Sequence, residues 1–122
     1  MKKKILLVED NLATIEVVQK ELEFLGYDAM TADNGEKAIE MAAAHLPDLI
    51  IMDISLPQMD GLEATAMIRK NPTTQSIPIL AATARALPGD REKCLQGGCD
   101  DYIAKPFTHR ELGAALQKLL KE

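Results

Sequence analysis

The stretch PDLIIMDISLPQMDG, residues 47–61, carries an apolar run that stops on a carboxylate. Leu49, Ile50, Ile51 and Met52 are continuous in the way of a strand buried on both faces, and Asp53 stands at its end. Asn or Ser would serve a plain turn there. A charge at the mouth of the oiliest strand asks for a reason.

Working outward, five short apolar runs alternate with helical patterns. The runs are KILLVE (4–9), DAMTA (28–32), DLIIMD (48–53), IPILAAT (77–83) and YIAK (102–105). After the first, Leu12, Ile15, Val18, Leu22 and Leu25 recur at helical spacing, and Gly26 suits the position that ends a helix. NGEKAIEMAAAHLP (34–47), GLEATAMIRKNP (61–72) and PGDREKCLQGG (88–98) read as the second, third and fourth helices, the fourth closed by Gly97-Gly98. In THRELGAALQKLL (108–120) the pair Thr108 and Glu111 forms a capping box, and Leu112, Ala115, Leu116, Leu119 and Leu120 make one apolar face. Strand alternating with helix five times implies an α/β fold, a parallel sheet with helices on both sides. The 122 residues read as one domain, 1–122, with no linker, repeat or attached output domain.

Composition narrows the function. A hydrophobic content of 47% excludes a wholly disordered chain, and a formal charge of −5 disfavours general phosphate-backbone binding. The opening MKKK reads as a solvated lead-in to a buried strand. ILLV is too short for a signal-peptide core, and no apolar run approaches the ~20 residues of a membrane helix, so a cytoplasmic protein is expected. Cys94 and Cys99 match neither CxxC nor a zinc spacing and are read as reduced thiols. His45 and His109 have no companion ligand spacing and read as helix-surface residues.

In a parallel sheet, ligands bind outside the carboxyl ends of the strands. The first run ends Glu9-Asp10, the third Asp53, the fourth Thr83 and the fifth Lys105, so these side chains converge on one crevice. Singly, each has a plainer reading: Asp53 as a turn residue, Glu9-Asp10 before Asn11 as a helix cap, Thr83 as a strand end, Lys105 as a surface charge. Their common placement overrides those readings. Three carboxylates together repel, and one lysine cannot offset them all. A divalent cation resolves the conflict, and oxygen-only donors favour Mg²⁺, with Mn²⁺ as the alternative. Such a cation keeps open positions for phosphoryl oxygens, which also accounts for a hydroxyl at Thr83 and a mobile charge at Lys105.

These residues give the chain a resemblance to the CheY-like receiver domains of response regulators. The matching pieces are ILLVEDN (5–11), DLIIMDISLPQMDGLE (48–63), IPILAATA (77–84) and GGCDDYIAKPF (97–107), and the likeness spans essentially the whole chain. It implies a flavodoxin-like, doubly wound sheet in the order 2-1-3-4-5. It further implies that Asp53 is the phosphoacceptor. Glu9 and Asp10 become the metal-binding acid pair, with Asp10 and Asp53 in direct contact and Glu9 through water, and the backbone carbonyl of Ser55 completes the protein's ligands. Thr83 and Lys105 contact the phosphoryl group, Ala84 is the small neighbour that leaves access, Lys105-Pro106 is cis, and Tyr102 is the switch aromatic.

The resemblance implies two-component signalling. A sensor histidine kinase or a histidine phosphotransfer protein supplies the phosphoryl group in a Mg²⁺-dependent reaction. An unidentified downstream protein reads the face of the fourth helix, fifth strand and fifth helix. Such a chain is not an enzyme beyond promoting its own phosphorylation and dephosphorylation. Ser55 and Arg85 flank the path of attacking water and tune the phosphoryl lifetime. A single-domain response regulator, suggested by the opening Met1, competes with a receiver of a hybrid histidine kinase that acts as a phosphorelay intermediate. A haloacid-dehalogenase-type phosphohydrolase also uses a strand-end Asp and Mg²⁺, but it wants a second carboxylate two residues on, where this chain has Ser55. Nucleotide or flavin binding lacks its glycine-rich loop after the first strand.

Overall fold

The computed structural model describes residues 2–84 and 87–121. Arg85, assigned above to the path of attacking water, lies outside the described residues. Ten elements alternate in chain order: β1 (Lys4–Val8), α1 (Leu12–Phe24), β2 (Asp28–Ala32), α2 (Gly35–His45), β3 (Leu49–Asp53), α3 (Gly61–Lys70), β4 (Ile79–Thr83), α4 (Asp90–Gln96), β5 (Asp101–Ala104) and α5 (His109–Leu120). The five strands are parallel in the order β2-β1-β3-β4-β5, as the resemblance implied.

Alternation along the strands divides the interior into two cores. Ile5, Leu7, Leu49, Ile51, Leu80 and Ala82 face one way, onto Val18 and Leu22 of α1 and Leu112 and Leu116 of α5. Leu6, Val8, Ile50, Met52, Ile79 and Ala81 face the other, onto Ala38 and Ala42 of α2, Ala64 and Ile68 of α3, and Cys94 of α4. Every residue of β3 and β4 is buried, which is why those runs read as continuous rather than alternating. Each large side chain withdrawn from water contributes about 2 kcal/mol against chain entropy. Cys94 and Cys99 are free and buried, and burial pushes both thiols above the ordinary range, Cys99 to about 11. Both are poor nucleophiles as a result.

Local chemistry sets the helix ends. Asn11, Asn34 and Asp60 accept the third backbone N–H of α1, α2 and α3, and both Asp60/Glu63 and Thr108/Glu111 complete capping boxes. Gly26, at φ 95°, ends α1 as expected, with the Tyr27 N–H donating to Leu22 O at 3.0 Å. Gly98, at φ 107°, ends α4, where the N–H groups of Gly98 and Cys99 donate to the carbonyls of Leu95 and Cys94. Two helices, α2 and α4, are shorter than their sequence patterns, while α3 ends where Asn71-Pro72 closes its run. α2 stops at His45 because Leu46 takes a left-handed turn at φ 47°. α3 stops at Lys70, before Asn71-Pro72. α4 begins at Asp90, after a left-handed Gly89.

One clasp joins the ends of the sheet remote from Asp53. Arg69 of α3 donates to Gly98 O, Gln75 O and Ile77 O at 2.9, 2.9 and 2.7 Å, and to Asp100 Oδ2 at 2.7 Å. Asp100 also accepts the Ile79 N–H at 2.8 Å, so one side chain fixes the start of β4 and the turn into β5.

Candidate functional site

The parallel strands deliver their last residues to one edge. Asp53 ends β3 and Thr83 ends β4, while Glu9 and Lys105 each stand one residue past β1 and β5. Neighbouring amides carry the ladder beyond the strands: Glu9 N–H donates to Ala32 O at 3.0 Å and Lys105 N–H to Thr83 O at 2.8 Å. The side chains are therefore placed by the sheet rather than by a free loop.

Asp53 is 5% exposed. Its Oδ1 accepts the Ser55 N–H at 3.0 Å, and its Oδ2 lies 3.6 Å from Lys105 Nζ. Lys105 also pairs with Glu9 Oε1, and Glu9 Oε2 accepts the Asn11 N–H at 3.1 Å. Asp10 differs. It is exposed, and among the described residues its carboxylate makes no hydrogen bond or ion pair. One carboxylate oxygen from each of Glu9, Asp10 and Asp53 lies within 4.8 Å of the others. Among the described residues these three anionic oxygens converge with one ammonium, that of Lys105, and one of the carboxylates has no other partner. That donor set fits a hard divalent cation, and it offers neither Cys nor His to a softer one.

The expected residues are thus brought together: Glu9, Asp10, Asp53, Thr83 and Lys105 share one edge. Thr83 is 3% exposed beside β5. The Lys105-Pro106 peptide is cis, as expected. Ser55 contributes its amide to Asp53. Tyr102 sits two residues nearer the start of β5, opposite Ala81, half-buried against the α2–α3–α4 core. Burial raises its phenol above the ordinary range, and the nearby Asp90 and Cys94 of α4 act in the same direction.

Three contributors escaped the sequence reading. A Cβ at Gly61 would lie 2.3 Å from Asp53 O and 2.9 Å from Ile54 Cα, so only glycine lets α3 start against the end of β3. The sequence marks this glycine only as the start of the third helical pattern, without revealing what it touches. The cap of α1 is Asn11 rather than Glu9-Asp10, and its amide also donates to Glu9 Oε2 at 3.1 Å. Asp101, 8% exposed on edge strand β5, pairs with Arg91 of α4 and Lys118 of α5, both at 3.3 Å, and accepts the Tyr102 N–H at 2.8 Å. Burial pushes its carboxyl up, but the Tyr102 amide and the cations of Lys118 and Arg91 outweigh that and hold it below the usual range.

Two concavities flank the crevice. A groove of about 580 Å³, largely apolar, runs along α1 past Ala13, Val17 and Glu21 to Ala84, Lys105 and Phe107. A more polar pocket of about 570 Å³ lies on the α4 side, among Ser55, Leu56, Leu62, Thr83, Asp90 and Cys94. Among the described residues no helix is long and apolar enough to cross a membrane.

Comparison with known proteins agrees with this geometry. The response regulator receiver domain profile matches residues 5–117. The polar-differentiation response regulator DivK of Brucella anthropi is 41% identical over 108 residues, covering 88% of each chain. Among solved structures, the receiver domain of a sensor histidine kinase from Pseudomonas aeruginosa PAO1 superposes with a TM-score of 0.93 at 43% identity over 100% of both chains, and it holds a magnesium ion in its active-site cleft. The chemotaxis protein CheY4 of Vibrio cholerae gives a TM-score of 0.91 at 28% identity, covering 98% of this chain and 99% of that one. By its sheet order, its strand-end carboxylates and these likenesses, the chain belongs to the response regulator receiver domain family.

Proposed function

We propose that the chain accepts a phosphoryl group on Asp53 from a phosphohistidine and uses the change to switch a protein contact. The observation that carries this reading is Asp53 itself. It is a buried strand-end carboxylate with one oxygen fixed by the Ser55 amide and the other turned toward Lys105. Only such a carboxylate can attack in line while a fixed cation meets the incoming anion. Asp10 and Asp53, with the Ser55 carbonyl and Glu9 through water, would hold Mg²⁺. When bound, the cation offsets negative charge and orients phosphoryl oxygens. Lys105 neutralises a further oxygen and Thr83 donates its hydroxyl to another. The added charge has magnitude ~1.5–2, by analogy with other phosphoryl groups.

The donor is a sensor histidine kinase or a histidine phosphotransfer protein. The α1 groove supports this partner: it is apolar, it ends at Lys105, and exposed Val17 and Phe24 extend it along the helix. A helix bearing the phosphohistidine fits there with its imidazole at the crevice. The signal then leaves through Thr83 toward Tyr102 and the face of α4, β5 and α5, and the setting is the cytoplasm. Mutual likeness to DivK and to a kinase receiver keeps two settings in view, a single-domain regulator and a phosphorelay intermediate. Phosphoryl return from Asp53 to a phosphotransfer histidine distinguishes the second.

The primary test is labelling with a small phosphodonor and Mg²⁺, followed by mass mapping. Asp53 alone should be labelled and Asp53→Asn should take none. A phosphoryl group on His45, His109 or Ser55 would overturn the assignment.

A further inference from the structure

Gly35 opens α2 for a reason that its own backbone does not supply. Its φ is not left-handed, and Ala would be the better helix former there. A Cβ at Gly35, however, would lie 3.0 Å from both Cγ and Sδ of Met59 and 3.2 Å from its Cβ. Met59 belongs to the loop between β3 and α3, and its side chain packs on the α2–α3–α4 core. The same loop carries Ser55, whose amide donates to Asp53 Oδ1 at 3.0 Å. The base of the loop is tied by its backbone, with the Ile54 N–H on Ala82 O at 3.0 Å and the Gly61 N–H on Ile54 O at 3.1 Å. The crest is tied by side chains. Leu56 is buried in the same core, Gln58 is left-handed at φ 66°, and the Met59 N–H turns back to Pro57 O at 2.8 Å. A left-handed residue that carries a side chain persists where its surroundings hold it, and Met59 on Gly35 is such a hold. A cavity of about 60 Å³ beside this contact separates Asn34 and Glu36 from Pro57 and Gln58.

We infer that Met59, seated on Gly35 at the start of α2, is a positioning residue for Asp53. This rests on the phosphoacceptor reading and goes beyond it, since neither residue offers the site a polar side chain. With the crest held, Ser55 stays where its amide meets Asp53 Oδ1. With the crest released, the loop relaxes about its tied base and that bond loosens. A side chain at position 35 would act through the loop as a whole. A new Met59 rotamer moves Cγ and Sδ aside, but Cβ follows the backbone, which must then give by a few tenths of an ångström. The start of α2 thereby supports a carboxylate to which it donates no hydrogen bond.

The test uses the full ¹⁵N-labelled chain and reads two quantities, the Ser55 amide NMR shift without phosphodonor and the rate of Asp53 labelling by a small phosphodonor at saturating Mg²⁺. Gly35→Ala should move the Ser55 amide upfield and slow labelling by about tenfold, short of the ~100-fold that a misplacement of about 1 Å costs. Met59→Ala should do the same, and Met59→Leu, which refills the contact, should restore the shift and most of the rate. The double variant Gly35→Ala/Met59→Ala shows whether the two residues act on each other. With the Met59 side chain gone, the added methyl should cost nothing further or recover part of the rate. A Ser55 amide and a labelling rate unmoved by either single variant, with only the melting temperature changed, would reduce the contact to packing and overturn the inference. So would a Gly35→Ala effect of equal size with and without the Met59 side chain. Should Met59→Ala fail to fold, Met59→Val, which shortens the side chain without emptying its place, takes its part in the cycle. The Ser55 shift needs no phosphodonor, so a wild-type Asp53 that takes no label would sink the functional reading and leave the coupling read from that shift standing.

Discussion

Asp10→Asn should reverse its effect on stability according to the metal present. One oxygen from each of the three carboxylates lies within 4.8 Å of the others. At that separation two unit charges repel by about 0.9 kcal/mol in water and by about 3.5 kcal/mol at an effective dielectric constant of 20. Asp10 faces two anions, Glu9 and Asp53, and Lys105 offsets about one of them. One repulsion is left, and the exposure of Asp10 puts it near the aqueous end, about 1 kcal/mol. In EDTA the Asn variant should therefore melt about 4 °C above wild type, for a domain of this size. Mg²⁺ at a hundred times the wild-type Kd should stabilise wild type by about 2.7 kcal/mol. A variant with tenfold weaker affinity gains about 1.4 kcal/mol from the same Mg²⁺, so the EDTA gap closes or inverts. Thermal unfolding followed by circular dichroism in EDTA and in Mg²⁺ reads all four melting temperatures. An Asn variant less stable than wild type in EDTA, or an equal Mg²⁺-induced rise in both proteins, would refute the assignment of Asp10 as the unpaired ligand.

Three other expectations concern parts of the structure with separate duties. Arg69→Met removes four hydrogen bonds, leaves carbonyls unpartnered, and should cost about 3 kcal/mol, seen as a urea midpoint about 2 M lower. Labelling of Asp53 at the far end of the sheet should survive, and its loss would show that the clasp also shapes the site. The depressed carboxyl of Asp101 favours the folded state above its unfolded pKa, and that contribution is lost as pH falls through the lower folded value. Asp101→Asn should thus cost about 1 kcal/mol in urea unfolding at neutral pH and progressively less as acid protonates the folded-state carboxyl, and a pH-independent cost would contradict the ion-pair account. Thr83→Ala should still take phosphate on Asp53 while losing most of the phosphorylation-dependent change in the aromatic NMR signals of Tyr102. Equal responses in wild type and variant would place the coupling elsewhere.

Most of the fold is legible because burial on both faces of a parallel sheet leaves apolar runs with no polar alternation, and helices between them must cover those faces. The ends are less legible, because they depend on partners remote in sequence. The fourth run began at Ile77, yet β4 starts at Ile79, where the Asp100 carboxylate takes the first amide. Leu46 ends α2 in a left-handed conformation that its side chain does not announce. Asp53, Thr83 and Lys105 could be singled out because parallel topology alone sends the end of every run to one edge. Asp100 and Asp101 could not be told apart. They are adjacent and identical in type, but the first serves the Arg69 clasp and the second the cations of α4 and α5. Asp100 still lies in the turn while Asp101 opens β5, and only the packed helices determine what each meets.

The crevice has two sides with different chemistry. Lys105 opens onto the apolar groove along α1, whereas Ser55 and Thr83 line the more polar pocket toward α4. Asp53 divides itself between them, with Oδ2 toward Lys105 and Oδ1 on the Ser55 amide. A phosphohistidine-bearing helix needs apolar area to hold it and an open approach to a cationic group, and the α1 side offers both. A signal needs a hydroxyl that can follow the phosphoryl oxygens and space for a helix to respond, and the α4 side offers Thr83, the pocket and the short helix α4 between two left-handed glycines. Input and output can then occupy opposite flanks of one carboxylate. A partner seated along α1 leaves Tyr102 and the exposed Leu95 of α4 uncovered, so the proposed phosphoryl donor and the proposed downstream reader need not compete for the same surface.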